Sequence, residues 1–205
     1  MFGTIKTTAA ALAVCLLIPA VSTAAEVRTG VTFAGQLEKH AGRAAMQNLI
    51  LDLASSWASC NANLMKNTVA EDVEFSYPTN HVSGRDKMLE DLAQFCKNAK
   101  DTSIYLPADA FFIDVDTGRI AAELQFRTFQ RGNRQVVNDV WIAHIKNGKV
   151  SVIKEYLDGR VKDLQAQGVL QLEESPTTLT PWPPRTEQWK GCFPIVKASP
   201  TNTCP

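Results

Sequence analysis

Four runs of strand-forming residues between positions 108 and 158 constrain this chain more than any other feature. ADAFFIDV (108–115) and RIAAELQFRTFQ (119–130) flank Asp116-Thr117-Gly118. QVVNDVWIAHI (135–145) and KVSVIKEYLD (149–158) flank Asn147-Gly148, and RGN (131–133) turns between the two pairs. Asp-x-Gly and Asn-Gly between alternating runs are hairpin signals, because those residues tolerate the positive φ angles of tight turns. The pattern predicts a meander of four antiparallel strands. It also raises a question. Asp139, Trp141 and Glu155 stand at positions where one face of the sheet should be dry.

Ahead of these strands the apolar period is helical. Met46, Leu49, Ile50, Leu53, Trp57 and Cys60 recur at 3–4 residue spacing, which predicts an amphipathic helix from about 41, with a short second helix through NANLMKNT (61–68). VEFSYP (73–78) alternates and stops at proline, so it reads as a short strand. SGRD (83–86) has the pattern of a capping box opening a third helix, whose apolar face is Met88, Leu89, Leu92, Phe95, Cys96 and Ala99. Helices followed by a run of strands predict an α+β domain rather than alternating βαβ units. From about 172 proline becomes dense, which excludes a helix or a central strand and predicts an irregular tail anchored by Trp182 and Trp189.

The N-terminus carries Lys6, an apolar run from Ala9 to Ala20 and the small residues of VSTAAE, the pattern of a cleaved signal peptide ending at Ala24 or Ala25. That run is shorter than the roughly 20 residues a membrane span needs. The chain therefore divides into a signal peptide (1–25), an N-terminal arm (26–40), the main domain (41–171) and a Pro-rich extension (172–205), in a secreted or periplasmic protein. Once Cys15 is removed with the leader, Cys60, Cys96, Cys192 and Cys204 remain, an even number that reads as two disulfides in an oxidising compartment. Three connectivities exist. A local Cys192–Cys204 bridge in the tail would leave Cys60 with Cys96, joining two packed helices. No C-x-x-C or histidine pair at ligand spacing suggests a metal. Lys plus Arg and Asp plus Glu balance at 21 each, so there is no basic field for nucleic acid. Dinucleotide, P-loop, zincin and G-x-S-x-G signatures are missing too, and no cofactor is implied.

Several of these motifs, in this order and spacing, resemble the SnoaL-like branch of the NTF2-like superfamily. They are Glu71-Asp72 before the first strand, Gly84-Arg85 at the third helix, Gly148-Lys149-Val150 at the last turn and Tyr156-Leu157-Asp158 at the end of the meander. The resemblance covers about residues 41–165. It implies a cone in which a curved antiparallel sheet wraps around three N-terminal helices and leaves a pocket on its concave side. It also implies a homodimer formed through the outer sheet face, here Val140, Ile142 and His144. If Trp141 points inward, strand alternation brings Asp139, Ala143 and Ile145 with it, and hairpin geometry adds Ile153, Glu155 and Leu157.

Two enzymatic branches of the superfamily can be compared position by position. The general-base aspartate of ketosteroid isomerases falls at Tyr77, their oxyanion tyrosine near Leu53 and their oxyanion aspartate at about Trp141. All three depart, which argues against steroid isomerisation. Dehydratase-like relatives use inward histidines with an aspartate, and His81, expected in the loop after the first strand, is the histidine that falls near the mouth. Asp139, Glu155 and Tyr77 are the candidate catalytic residues, since two carboxyls in a water-poor pocket would separate into an acid and a base. Arg127 or Lys154 could instead neutralise them. Trp57, Leu53, His81, Trp141 and Leu157 are the candidate pocket residues.

The leading expectation is an exported protein that binds a small apolar or amphipathic molecule. The alternatives are a cofactor-independent isomerase, cyclase or hydrolase, and a dimeric structural module whose tail plugs its own pocket.

Overall fold

The computed structural model describes residues 28–189. The expected signal peptide and the expected Cys192–Cys204 bridge lie outside them. The elements run β1 (Val31–Phe33), α1 (Ala41–Ala58), α2 (Ala62–Thr68), β2 (Val69–Tyr77), β3 (Asn80–Ser83), α3 (Arg85–Asn98), β4 (Lys100–Leu106), β5 (Phe111–Asp114), β6 (Arg119–Gln130), β7 (Asn133–Lys146), β8 (Lys149–Leu157) and α4 (Val161–Ala166). Eight strands form one sheet in the order β1-β4-β6-β7-β8-β2-β3, with β5 paired to β6. Three strands of the expected meander, β6, β7 and β8, are its centre, and the fourth, β5, branches from one end of β6. Gln130 pairs with Asn133 across the first tight turn, and Lys146 with Lys149 across the second. At the second turn both central residues take positive φ, Asn147 at 51° and Gly148 at 68°, as an Asn-Gly turn of this kind requires.

The sheet is mixed rather than purely antiparallel, because β1 runs parallel to β4 and β2 parallel to β8. Register shifts interrupt the β2–β8, β4–β6 and β7–β8 ladders, and such irregularities bend a sheet. Ile50, Leu53 and Ala54 of α1 pack fully buried against Leu124, Ala143 and Ile153 of the strands, with Met88 and Leu92 of α3 in the same core. The Cys60–Cys96 disulfide ties the end of α1 to α3, with its Cα atoms 5.9 Å apart. Among the described residues, no helix is long and apolar enough to cross a membrane.

Several local expectations change in the folded chain. The arm expected to be loose contributes β1, and Lys100–Leu106, which carries too few apolar residues to stand out, is recruited as β4. His81 lies on a strand rather than in a loop, because Tyr77 and Asn80 close a hairpin around Pro78-Thr79. Ser83 does not cap α3. Its hydroxyl donates to Glu74 Oε1 at 2.7 Å, and Gly84 occupies the N-cap at φ 88°.

The tail crosses the outer face of β4, β6 and β7. Gln125 donates to the Glu173 carbonyl, Tyr105 to that of Pro176 and Asn138 to that of Thr180, at 3.0, 3.1 and 2.8 Å. Arg127 reaches Ser175 and pairs with Glu174. The tail thus holds Tyr105, Gln125, Arg127 and Asn138 of the outer face, and Val140, Ile142 and His144, expected to meet a second copy, are not among the residues it bonds. Trp182 and Trp189 stack edge to face at 5.7 Å in a second cluster with Val137, Val161 and Leu164.

The α4 helix, for which the sequence carried no signal, closes an open strand edge. The β7–β8 ladder stops at Asp139–Leu157, so Val136 lacks a strand neighbour on that side. The Gln165 carboxamide takes that place. Its Oε1 accepts from Val136 N at 3.0 Å and its Nε2 donates to Val136 O at 2.7 Å, and the side chain is buried. Gln165→Leu is expected to lower the unfolding free energy in urea by about 1–3 kcal/mol, the usual cost of leaving buried backbone groups unmet. A loss below about 0.5 kcal/mol would mean that water replaces the amide.

Candidate functional site

Inside the cone lies a cavity of about 640 Å³. Its wall is a chain of rings. Tyr77 lies 5.0 Å from Phe75, Phe75 6.0 Å from Trp57, Trp57 5.5 Å from Phe95, and Phe95 5.6 Å from Phe126, centroid to centroid. Each ring comes from a residue on the inward phase of its element. Phe75 and Tyr77 alternate along β2, and Trp57 and Phe95 sit on the apolar stripes of α1 and α3. Trp141 and Leu157 complete the apolar lining, with Glu155 beside them.

The acids gather where β7 meets β8. Trp141 is directly opposite Glu155 across the ladder, and Asp139 opposite Leu157, so alternation puts all four on the concave side. The single indole N–H of Trp141 is shared between Asp139 Oδ2 at 3.1 Å and Glu155 Oε1 at 3.2 Å. Asp139 is only 3 % exposed, and its Oδ1 has no hydrogen-bond partner. Neither expected cation neutralises the pair, because Arg127 is engaged with the tail and Lys154 is exposed.

Burial pushes the Asp139 carboxyl well above its ordinary range, and the adjacent Glu155 charge adds to this. Burial also raises Glu155, partly offset by hydrogen bonding from Asp139 and Trp141. These causes act because a low-dielectric site disfavours charge and two carboxylates disfavour each other. The pair therefore holds extra protons in the folded state. An acid whose folded pKa is raised contributes its full share of stability below the unfolded value of 3.8 and loses it as pH rises through the folded pKa. Asp139→Asn removes the charge that must form. It is expected to raise stability at pH 8 by about 1–3 kcal/mol and to flatten the decline between pH 5 and 8, as read from urea midpoints across that range. An unchanged decline would show that Asp139 does not carry it.

The remaining expected site residues divide. Trp57, Tyr77, Trp141 and Leu157 line the cavity. Leu53, one turn before Trp57, is fully buried in the core and does not reach it. His81 points away from it, pairing with Glu74 at 2.8 Å and Ser76 at 2.9 Å on the exposed side of β2–β3. The reason is alternation. Phe75 and Tyr77 face inward, so Ser76 and its cross-strand partner His81 face outward.

Asp91 on α3 was not anticipated. It lines the cavity and accepts from the Tyr77 hydroxyl at 3.4 Å, while Asn80 Nδ2 donates to that hydroxyl at 3.1 Å. Burial raises both Asp91 and Tyr77. A polar stripe at helical spacing, Asp91, Gln94 and Asn98 beside Phe95, was the available signal, and all three side chains reach the cavity. Among the described residues, no group of three His, Cys, Asp or Glu side chains is placed to hold a metal ion.

No family model matches the sequence, and no curated protein matches it. Solved structures do. PrhC from Penicillium brasilianum superposes with a TM-score of 0.55 at 12 % identity, over 62 % of this chain and 89 % of that one. A ketosteroid isomerase-like fold from Catenulispora acidiphila, crystallised with trimethylamine, gives 0.52 at 13 %, over 62 % and 97 %. An NTF2-like protein from Burkholderia pseudomallei gives 0.51 at 12 %, over 59 % and 95 %. This chain has the NTF2-like fold. The shares covered show that the NTF2-like cone occupies about three fifths of the chain. Such low identities carry the fold and no activity.

Proposed function

We propose that this is an exported NTF2-like protein that binds a small, largely apolar molecule in its cone. The observation that carries the reading is the cavity itself, a ring-lined space of about 640 Å³ with a few polar groups converging at one place, Tyr77, Asp91 and Glu155. Apolar walls with sparse, positioned polar groups are the usual build of a ligand site. Export is supported by the apolar leader and by the Cys60–Cys96 bridge. A tail-plugged module finds partial support: none of residues 171–189 lines this cavity, but Leu179, Thr180, Pro181 and Trp182 line a neighbouring one of about 780 Å³ that shares Tyr77, Glu155 and Leu157 with it and also contains Asp139.

Native mass spectrometry of protein purified from its exported fraction, beside the denatured mass, tests the binding reading. The expected result is a retained adduct of a few hundred daltons that denaturation removes. Protein that is empty, and whose melting temperature no member of a library of small apolar compounds raises, would overturn it.

A second reading has one specific observation in its favour. Asp139 and Glu155 form a proton-holding carboxyl pair beside the cavity, which suits general acid–base chemistry without a cofactor. In that reading Glu155 moves the proton, Asp139 tunes it and Tyr77 orients the substrate. Turnover retained by both Asp139→Asn and Glu155→Gln would end it.

A further inference from the structure

We infer that the molecule this cone takes carries a positive charge, an organic ammonium group on an apolar body, with the charge seated among Tyr77, Asp91 and Glu155. The inference rests on the cavity being a binding site, as proposed above, and adds the chemical class of its ligand.

The argument is an inventory of what remains unspent. The donors near the polar end are already committed. The Trp141 N–H goes to Asp139 and Glu155, the Tyr77 O–H to Asp91, and an Asn80 N–H to Tyr77. A ligand that must accept hydrogen bonds, such as a ketone or a carboxylate, meets none of these three free; the donors left on the lining include the amides of Gln94, Asn98 and Gln130 and the guanidinium of Arg131. The acceptors are in surplus. Glu155 shares the Trp141 N–H with Asp139 and Asp91 receives one long bond, while Asp139, whose Oδ1 receives none, does not itself line the cavity. A carboxylate ligand would add a further negative charge beside whichever of the three acids is ionised, which is unfavourable at close range.

The walls agree with the floor. Six aromatic side chains line the space, Trp57, Phe75, Tyr77, Phe95, Phe126 and Trp141, and ring faces attract cations. Arg131 is the one basic residue lining the cavity among the described residues. It stands exposed on the β6–β7 turn, where water screens it.

Binding should be linked to protons. The charged and titratable groups around the seat are Tyr77 from β2, Asp91 from α3, Asp139 from β7, Glu155 from β8 and Arg131 from the turn, with Glu123, Lys154, Asp158 and Arg160 in the neighbouring cavity that shares Tyr77 and Glu155. Burial raises Asp91, Asp139 and Glu155, and an arriving cation favours their ionised forms. A quaternary ammonium has no proton to give, so any proton released on binding comes from the protein.

The test uses the full oxidised chain and three probes of one shape, benzyltrimethylammonium, its neutral carbon isostere neopentylbenzene, and phenylpropionate, titrated by tryptophan fluorescence at pH 6 and pH 8. The expected result is that the cation binds about tenfold or more tighter than the isostere at pH 8. That preference should shrink at pH 6 and fall again in Glu155→Gln, whose melting temperature should be no lower than that of the parent. Phenylpropionate should be the weakest. An isostere or anion that binds as tightly as the cation overturns the charge and leaves the cavity-binding reading standing. No binding by any of the three at millimolar concentration overturns both.

Discussion

Trp141→Ala is expected to lower the unfolding free energy by about 4–6 kcal/mol, enough to leave the domain largely unfolded in mild denaturant. Two losses combine. Removing a nearly buried indole, 3 % exposed, leaves a cavity in the core, which for a large aromatic costs about 3–5 kcal/mol. The same change also removes the indole N–H that Asp139 and Glu155 share. Trp141→Phe separates the two. It keeps most of the volume but not the N–H, and is expected to cost about 1–3 kcal/mol. That smaller cost should grow with pH, because the indole bond lowers the pKa of both carboxyls, and an ionised pair needs the donor more. Urea denaturation of both variants at pH 5 and pH 8 is the check. Equal losses for alanine and phenylalanine, or a phenylalanine cost independent of pH, would show that the indole is only filling space.

Reducing the Cys60–Cys96 bridge is expected to cost about 3–4 kcal/mol, the chain-entropy value for a loop of this size. The separation it closes is 36 residues. For a domain of this length that corresponds to a fall of about 6–15 °C in melting temperature, measurable by calorimetry with and without reductant. The bridge has a second role at the end of α1. Cys60 adopts φ 56°, its N–H reaches the Trp57 carbonyl at 3.4 Å, and the Asn61 N–H reaches that of Ser56 at 2.9 Å. This is a Schellman cap, whose left-handed position favours glycine. Cys60→Gly with Cys96→Ala is therefore expected to be about 0.5–1 kcal/mol more stable than Cys60→Ala with Cys96→Ala. Identical stabilities would mean that the cap is not strained. Because Trp57 and Phe95 lie 5.5 Å apart next to the bridge, reduction should also loosen the cavity wall and weaken any bound probe.

The β5–β6, β6–β7 and β7–β8 hairpins depend on two or three turn residues each, and a period of two on either side of Asn147-Gly148 puts Asp139, Trp141, Glu155 and Leu157 on one face; that this face is the inner one was implied by the resemblance and is decided by the structure. Trp57 and Phe95 followed from helical spacing in the same way. The outward turn of His81 followed from the same alternation, once Pro78-Thr79 is seen to close a hairpin rather than open a loop. Leu53 was placed by position in relatives, and the helix buries it one turn below the cavity.

The sequence by itself determined the three helices α1 to α3, the strand after α2, the three hairpins of the meander and the fact that the acids share a face with Trp141. Each of those rests on residues close in the chain, whose turn chemistry and periodicity act without distant partners. Tertiary structure alone decided that β1 and β4 exist, that Gln165 completes the edge of β7, that the tail covers the outer sheet and that Asp91 joins Tyr77 beside Glu155. Those depend on contacts between segments tens of residues apart, where an unpaired backbone group or a buried carboxyl takes whatever partner the closed cone brings to it.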